Sequence, residues 1–269
     1  MHERIRPYKF LVARRTAQIT LLFLLFAGNA FGWKVWVGNL SASRIADTIP
    51  LSDPYAVLQM LAAGVMLPAE ALTGAVLVVL FFGIMGGRAF CSWVCPMNMV
   101  TDLANRLRKV FGMDASGRRL QVSRNIRYWV IGLSLGLSML LGVAAFEWIS
   151  PVSMLHRGIV FGMGLGWAAV LAVFLLDLLV IKNGFCGHLC PLGGFYAIVG
   201  RYSLVRMRHH KEKCTLCMKC VDICPEPQVL DQVGKESTAV LSGECNNCGR
   251  CVEVCDDNAI CFGLRTLQP

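Results

Sequence analysis

The chain has 269 residues, of which 55% are hydrophobic and only 16% are charged, and its mean hydropathy is +0.56. This composition is too apolar for an ordinary soluble domain, so part of the chain is expected to lie in lipid. The formal net charge of +9 does not favour nucleic-acid binding, because the basic residues sit beside long apolar runs. We therefore predict a membrane protein without a nucleic-acid partner.

Four apolar runs are long enough to cross a bilayer, which takes about 20 mostly apolar residues and tolerates about 17. They cover residues 17–36, 71–87, 128–146 and 159–181. A shorter run ends at Pro68 and is better interpreted as an interfacial or re-entrant segment. Arg14 and Arg15 precede the first run and also resemble a twin-arginine signal. That alternative leaves the later spans facing the same way.

The basic residues predict the orientation of the spans, because positively charged loops stay in the cytoplasm. Thirteen of them lie on one side, namely Arg4, Arg6, Lys9, Arg14, Arg15, Arg88, Arg106, Arg108, Lys109, Arg118, Arg119, Arg124 and Arg127. The loops on the other side hold only Lys34, Arg44 and Arg157. Both termini and the long middle loop are therefore predicted to be cytoplasmic.

The second and fourth runs each lead into the same element, Phe-Cys-x-x-x-Cys-Pro, at residues 90–96 and 185–191. The repeat predicts two related helical hairpins. Cys95 and Cys190 each precede a proline, so we expect them where one helix ends and the next begins, a place that lowers the pKa of a thiol. A shared metal or cofactor site, redox-active pairs and buried structural thiols remain open for Cys91, Cys95, Cys186 and Cys190.

The C-terminal part carries two compact cysteine runs with the spacing of bacterial ferredoxins. The first is Cys214, Cys217, Cys220 and Cys224, followed by Pro225, and the second is Cys245, Cys248, Cys251 and Cys255. In such runs the fourth cysteine serves the other cluster. The predicted ligand sets are Cys214, Cys217, Cys220 and Cys255 for cluster one, and Cys245, Cys248, Cys251 and Cys224 for cluster two. Zinc is the weaker alternative, because zinc sites use two separated Cys-x-x-Cys pairs.

Several other residues near the predicted spans and cysteine runs are candidates for a functional role. Asp177 lies in the fourth run and is either functional or paired with Arg88 or Lys182. His188 lies within the second Cys-x-x-x-Cys-Pro element and either ligates, relays a proton or packs at the interface. Near the outer loop, Glu147 and His156 are either acceptors of quinol protons or ordinary solvated residues. The remaining notable residues are Asp256, which adds negative charge near cluster one, and Cys261, which is expected to be a buried, inert thiol.

These motifs resemble a known family. The stretches GNLSASRIADTIPLSDP from Gly38, GRAFCSWVCPMNMVTDLANRLR from Gly87, EWISPVSM from Glu147 and GFCGHLCPLGG from Gly184, with the two cysteine runs, are similar to the NapH type. That family is the membrane-bound, ferredoxin-type quinol dehydrogenase component of the periplasmic nitrate reductase system. The resemblance covers nearly the whole chain.

The resemblance implies a multi-pass protein of the bacterial inner membrane that carries two [4Fe-4S] clusters. It would oxidise quinol and pass electrons to a periplasmic iron-sulfur protein, then to a tetrahaem cytochrome c or the periplasmic nitrate reductase. It would be an oxidoreductase subunit rather than a complete enzyme. The alternative is an assembly or maturation factor that reduces a metal or thiol centre on a client respiratory enzyme.

The fold class that we predict is an α-helical membrane protein, with four transmembrane helices in two repeated hairpins and a bacterial-type 2[4Fe-4S] ferredoxin domain. The expected divisions are a cytoplasmic segment at residues 1–16, a transmembrane domain at 17–200 and the ferredoxin-like domain at 201–269.

Overall fold

The computed structural model describes residues 8–113, 123–162 and 164–265, which are mostly helical. Arg4, Arg6, Arg118 and Arg119, on which part of the orientation argument depends, lie outside these described residues. The chain divides into two compact units. The first combines residues 1–18, 80–94 and 196–269, and the second combines residues 19–79 and 95–195.

Helices account for most of the regular structure among the described residues. Before the cysteine runs they are α1 (Lys9–Phe31), α2 (Pro54–Ala62), α3 (Ala69–Met85), α4 (Ala89–Trp93), α5 (Met97–Val110), α6 (Ile126–Leu141), α7 (Ala145–Ile149), α8 (Pro151–Phe161), α9 (Gly166–Leu175) and α10 (Pro191–Val199). Two π-helical turns, Leu176–Val180 and Phe185–Leu189, lie between α9 and α10. Two short helices follow within the cysteine runs, α11 (Lys219–Ile223) and α12 (Arg250–Glu253).

The strands in the described part of the chain form two small antiparallel sheets. Strands β1 (Trp36–Gly38), β2 (Ala42–Ile45) and β3 (Ile49–Ser52) make a meander between α1 and α2. Strands β4 (Val205–His209) and β5 (Ile260–Leu264) pair across the cysteine runs, with Met207 opposite Phe262. The first sheet was not predicted, because its strands have only three or four residues each and show little alternation.

Only α1, with 23 residues, is long and apolar enough to cross a bilayer among the helices that the structure describes. Three shorter apolar helices, Ala69–Met85, Ile126–Leu141 and Gly166–Val180, overlap the other predicted runs. We expected the fourth run to form one helix from residue 159. The structure instead divides it. Gly162 and Gly164 have positive φ angles, +104° and +44°, and separate α8 from α9. The apolar helix therefore begins at Gly166.

Within the second unit, side chains near the ends of several helices fix the local structure. Asp53 caps α2, and its carboxylate accepts a hydrogen bond from the Tyr55 backbone N–H at 2.9 Å. The Gln59 side chain accepts from the Phe146 N–H at 2.8 Å and so ties α2 to α7. Helices α8 and α9 pack closely, since a Cβ at Gly166 would lie 3.2 Å from that of Met154.

Candidate iron-sulfur centre

The two cysteine runs fold around one hydrophobic core in the first unit. Its buried members are Met207, Cys220, Val229, Leu230, Val233, Val240, Cys251 and Ile260. Three further predicted ligands, Cys214, Cys224 and Cys245, pack against it half-buried. The paired strands β4 and β5 supply Met207 and Ile260 to this core. The thiols are therefore held by a packed apolar core rather than by a flexible loop.

The backbone takes the same unusual conformation in both runs. Leu216 and Asn247, each just before the second cysteine of its run, have φ of +60° and +46°. Met218 and Gly249, each just after that cysteine, have φ of +56° and +74°. Alternation between right-handed and left-handed residues turns successive backbone N–H groups towards one side and creates concave sites for anionic groups, iron-sulfur clusters included. Three of these four residues are not glycine, so the conformation carries a cost that a bound cluster would offset.

Four cysteines line a common cavity, and they are the four that we assigned to cluster two: Cys224, Cys245, Cys248 and Cys251. Burial raises the pKa of the Cys251 thiol well above its usual value, and the nearby Cys248, Cys245 and Cys224 raise it further. Burial also raises the pKa of Cys245 to about 11. Deprotonation of such a buried quartet is unfavourable without a positive ion, and the donor set therefore fits a bound metal centre such as an iron-sulfur cluster.

The other quartet is more open. The pKa of Cys220 is raised by burial and, to a smaller extent, by the neighbouring Cys255 and Cys217. The Cys255 sulfur accepts a hydrogen bond from the Ala259 backbone N–H at 3.2 Å. Cys217 is exposed, whereas Cys220 is buried. In the described part of the chain, no three His, Cys, Asp or Glu side chains gather closely enough to hold one metal ion.

The structure changes our predictions for two residues near the cysteine runs, Asp256 and Cys261. Asp256 does not add an uncompensated charge, because its carboxylate pairs with the Lys219 ammonium at 2.9 Å. Cys261 is half-buried rather than buried, and its sulfur lies 3.7 Å from Nε2 of His210.

A buried ion pair supports the second run. Arg88 donates to the Glu226 carboxylate at 2.7 Å, and the two side chains are 1% and 3% exposed. The same guanidinium nitrogen donates to the Glu244 carbonyl at 3.0 Å. Glu226 follows Cys224 by two residues, and Glu244 directly precedes Cys245. Arg88 therefore connects the two segments that carry predicted cysteine ligands of cluster two. Arg88 thus pairs with Glu226 in this structure, rather than with Asp177 as one interpretation of the sequence proposed.

The first Cys-x-x-x-Cys-Pro element contacts the second cysteine run directly. Ser92 Oγ donates to the Asn246 carbonyl at 2.7 Å, and Trp93 Nε1 donates to the Asn247 carbonyl at 3.1 Å. The Asn247 amide in turn donates to the Met85 carbonyl at 2.9 Å, at the end of α3. The two asparagines are the residues between Cys245 and Cys248. The loop between Cys245 and Cys248, two of the predicted ligands of cluster two, is therefore hydrogen-bonded to the two residues that follow Cys91.

The prolines of both elements begin new helices, as predicted. Pro96 precedes the first residue of α5, and Pro191 is the first residue of α10. Cys95 and Cys190 are buried, whereas Cys91 and Cys186 are half-buried. The first four residues of the first element belong to the α-helix α4, whereas the first five of the second form a π-helical turn. Such turns are rare in proteins and are often found at functional sites.

Asp177 and His188 are placed beside the second element. Asp177 is fully buried in the first π-helical turn, and its carboxylate accepts a hydrogen bond from the Phe185 N–H at 3.0 Å. His188 is buried within the second π-helical turn. Helix α5, which starts just after Cys95, packs against that turn. Arg108 of α5 donates to the Leu178 carbonyl at 3.2 Å and so ties α5 to the first turn.

Two profiles of known protein families match this chain, and together they cover the Cys-x-x-x-Cys-Pro elements and the two cysteine runs. A family profile described as "4Fe-4S binding domain" matches residues 67–114 and 160–212, and so covers each Cys-x-x-x-Cys-Pro element once. A second profile, "4Fe-4S dicluster domain", matches residues 206–256. No solved structure matches the chain significantly.

Three relatives match most of the chain. The methylamine utilization ferredoxin-type protein MauN of Methylorubrum extorquens is 46% identical over 89% of this chain and 84% of its own length. MauN of Paracoccus denitrificans is 42% identical over 90% of this chain and 85% of its own. The ferredoxin-type protein NapH of Escherichia coli is 43% identical over 84% of this chain and 78% of its own. With its two profile matches and these identities, the chain belongs to the ferredoxin-type protein family of NapH and MauN.

Proposed function

We propose that this protein oxidises a membrane quinol and passes the electrons through two [4Fe-4S] clusters to a protein partner. The observation that carries the proposal is the cavity lined by Cys224, Cys245, Cys248 and Cys251, which belong to two different cysteine runs. This exchange of the fourth ligand is typical of two-cluster ferredoxins. It supports an electron carrier with paired clusters.

Each residue set has a defined task in this function. Cys214, Cys217, Cys220 and Cys255 would hold one cluster, and Cys245, Cys248, Cys251 and Cys224 the other. When bound, the clusters accept and release single electrons. The left-handed residues at positions 216, 218, 247 and 249 would direct backbone N–H groups towards cluster sulfurs and favour the reduced, more negative state.

The same proposal includes four membrane spans with both termini in the cytoplasm. The Glu253 carboxylate accepts from the Leu11 backbone N–H at 2.9 Å and caps the start of α1, which supports placing the first span's start and the cysteine runs on one side. The basic residues support the cytoplasmic side. The three shorter apolar helices have 15 to 17 residues, close to the length that a span needs.

Alkaline phosphatase fused after residue 269 should be inactive, because the enzyme folds only outside the cytoplasm and the C-terminus is proposed to be inside. A fusion after Asp47, in the β2–β3 turn that is proposed to lie outside, should be active and serves as the control. High activity of the C-terminal fusion would contradict this topology and place the clusters in the periplasm.

The proposed direction of electron flow is supported by the resemblance to the NapH type. As in the system that the NapH family serves, the acceptor would be a periplasmic iron-sulfur protein, followed by a tetrahaem cytochrome c or the periplasmic nitrate reductase. The 46% identity to MauN supports a second candidate, in which the electron acceptor belongs to methylamine utilization instead. Complementation of strains that lack NapH or MauN separates these two pathways.

The purified protein, loaded with about eight irons per chain, should show bleaching of its iron-sulfur absorbance when a quinol analogue is added anaerobically. Dithionite gives the absorbance change of full reduction and is the control for intact clusters. A protein that dithionite reduces but neither a benzoquinol nor a naphthoquinol reduces would contradict quinol oxidation. That result would favour the alternative, a maturation factor that reduces a metal or thiol centre on a client enzyme.

A further inference from the structure

A cavity of about 480 Å³ lies in the second unit, among α2, the turn after α6, α7 and α8. Its size falls within the range of about 300–1,000 Å³ that is usual for small-molecule sites. Its apolar walls include Met60, Val65, Val143 and Trp148, and its polar groups are Glu147 and Arg157. Apolar walls with a few fixed polar groups are the pattern of a ligand site.

The Glu147 carboxylate is held in place by three donors. Ser41 Oγ donates to it at 2.6 Å, Ser153 Oγ at 2.8 Å and Arg157 Nη2 at 2.6 Å. These donors come from the β1–β2 turn and from α8, and the Glu147 side chain is only 13% exposed. Glu147 is therefore not the solvated loop residue that one interpretation of the sequence allowed. Its orientation is fixed before any ligand arrives.

Two other titratable residues, Asp53 and His156, belong to the same unit but are not among the residues that line the cavity. Burial, together with the negative charge of Glu147, raises the pKa of Asp53 to about 7. A carboxyl group with such a pKa can gain and lose a proton near neutral pH. His156 is 2% exposed, and burial lowers its pKa to about 3, with Arg157 adding to this effect. Histidine 156 is thus neutral at physiological pH.

We propose that this cavity binds the ring of a membrane quinol and that Glu147 accepts a proton from its hydroxyl group. This assignment rests on the proposed function. Its motivation is the combination of an apolar cavity, a fixed carboxylate and a rim that lies at the proposed outer interface, where Trp148 is 74% exposed. A quinol reaches such a site from the lipid, and aromatic side chains are typical of that depth.

The chemistry balances as follows. Oxidation of the quinol to the quinone breaks two O–H bonds and releases two protons and two electrons. Glu147 takes one of the protons, and water at the open rim of the cavity takes the other. The oxidant would be the two [4Fe-4S] clusters that the eight ferredoxin cysteines of the same chain would hold, which accept one electron each.

The test measures binding separately from electron transfer. The fluorescent quinol analogue 2-heptyl-4-hydroxyquinoline N-oxide is titrated into the full-length protein, wild type and variants, and quenching gives its Kd. Glu147→Gln should weaken binding about tenfold, because it removes a charged hydrogen-bond acceptor. Val143→Trp, which fills the cavity and leaves the carboxylate in place, should weaken it at least as much.

Glu70→Gln is the matched control, because Glu70 is also an outer carboxylate paired with an arginine, Arg44, but does not line the cavity. It should bind the analogue like the wild type. If all three variants bind the analogue as tightly as the wild type, and quinol still reduces the wild-type clusters, the proposed site is wrong but the proposed function stands. Failure of quinol to reduce the wild-type clusters, by contrast, overturns the proposed function itself. Iron content checks that each variant is intact.

Discussion

Replacement of Arg88 by methionine is expected to destabilise the ferredoxin part by about 3–5 kcal/mol, the usual cost of removing one partner from a buried ion pair. The change leaves the Glu226 carboxylate 3% exposed with its 2.7 Å partner gone. It also removes the donor to the Glu244 carbonyl. Because these two contacts hold the chain next to Cys224 and Cys245, cluster two should be lost first. Iron per chain and the temperature at which the cluster absorbance disappears measure the effect.

A double variant makes the test specific. Arg88→Met with Glu226→Met replaces the whole pair by apolar side chains and should recover part of the lost stability, since no charge is then left buried. Lys219→Met removes one partner of the exposed Lys219–Asp256 pair and should change little. An Arg88→Met protein with full iron content and unchanged melting would show that the buried pair is not needed to hold the second run.

The cysteine runs could be recognised from the sequence because the ligands of a cubane are a local feature. Two residues between cysteines are enough to specify one side of a cluster, and the repeat of the spacing indicates the pairing of the runs. Gly249 adopts a left-handed conformation, which glycine takes up readily because it has no Cβ. Leu216 and Met218 adopt it as well, and no preference of their side chains would predict that.

The contacts that connect the cysteine runs to the rest of the first unit could not be predicted. Arg88 and Glu226 are 138 residues apart, and charge alone allowed Arg88 to pair with several carboxylates. The hydrogen bonds of Ser92 and Trp93 to the Cys245–Cys248 loop join residues 154 apart through backbone carbonyls, which carry no sequence signal. Such contacts are decided by the tertiary fold.

Hydropathy located the apolar helices but not their ends. The fourth run looked continuous from residue 159, because a hydropathy average does not register the left-handed glycines 162 and 164. The cavity beside Glu147 could not be predicted either, because residues far apart in the sequence form it. Glu147 was noticed as a single acidic residue near an outer loop, but its three donors come from Ser41, Ser153 and Arg157, and the first of these is 106 residues away.

Single serine replacements of Cys91, Cys95, Cys186 and Cys190 are expected to abolish the reduction of the clusters by quinol, while about eight ferredoxin irons remain bound. The two residues that follow Cys91 are hydrogen-bonded to the loop between Cys245 and Cys248, two of the predicted ligands of cluster two. The family profile described as "4Fe-4S binding domain" covers both elements. These observations favour a redox role over structural thiols.

The two elements are also proposed to act as one site, at the inner ends of the two repeated hairpins. Helix α5 begins just after Cys95 and packs against the π-helical turn that holds Cys186 and His188. Both second cysteines, Cys95 and Cys190, directly precede a helix, whose N-terminal end favours the thiolate. A soft metal or a further redox cofactor would bind such thiolates and would receive electrons from quinol before the ferredoxin clusters do.

The measurement is anaerobic cluster reduction by quinol, with dithionite reduction to check that the clusters are intact. Cys261→Ser is the matched control, because Cys261 is a half-buried cysteine outside both elements and both ligand sets, and it should reduce at the wild-type rate. Iron above eight per chain in the wild type, falling to about eight in all four element variants, would identify the shared cofactor as a further iron-sulfur cluster. If all four variants are reduced by quinol at the wild-type rate, the two elements serve packing alone, and electrons reach the ferredoxin clusters by another route.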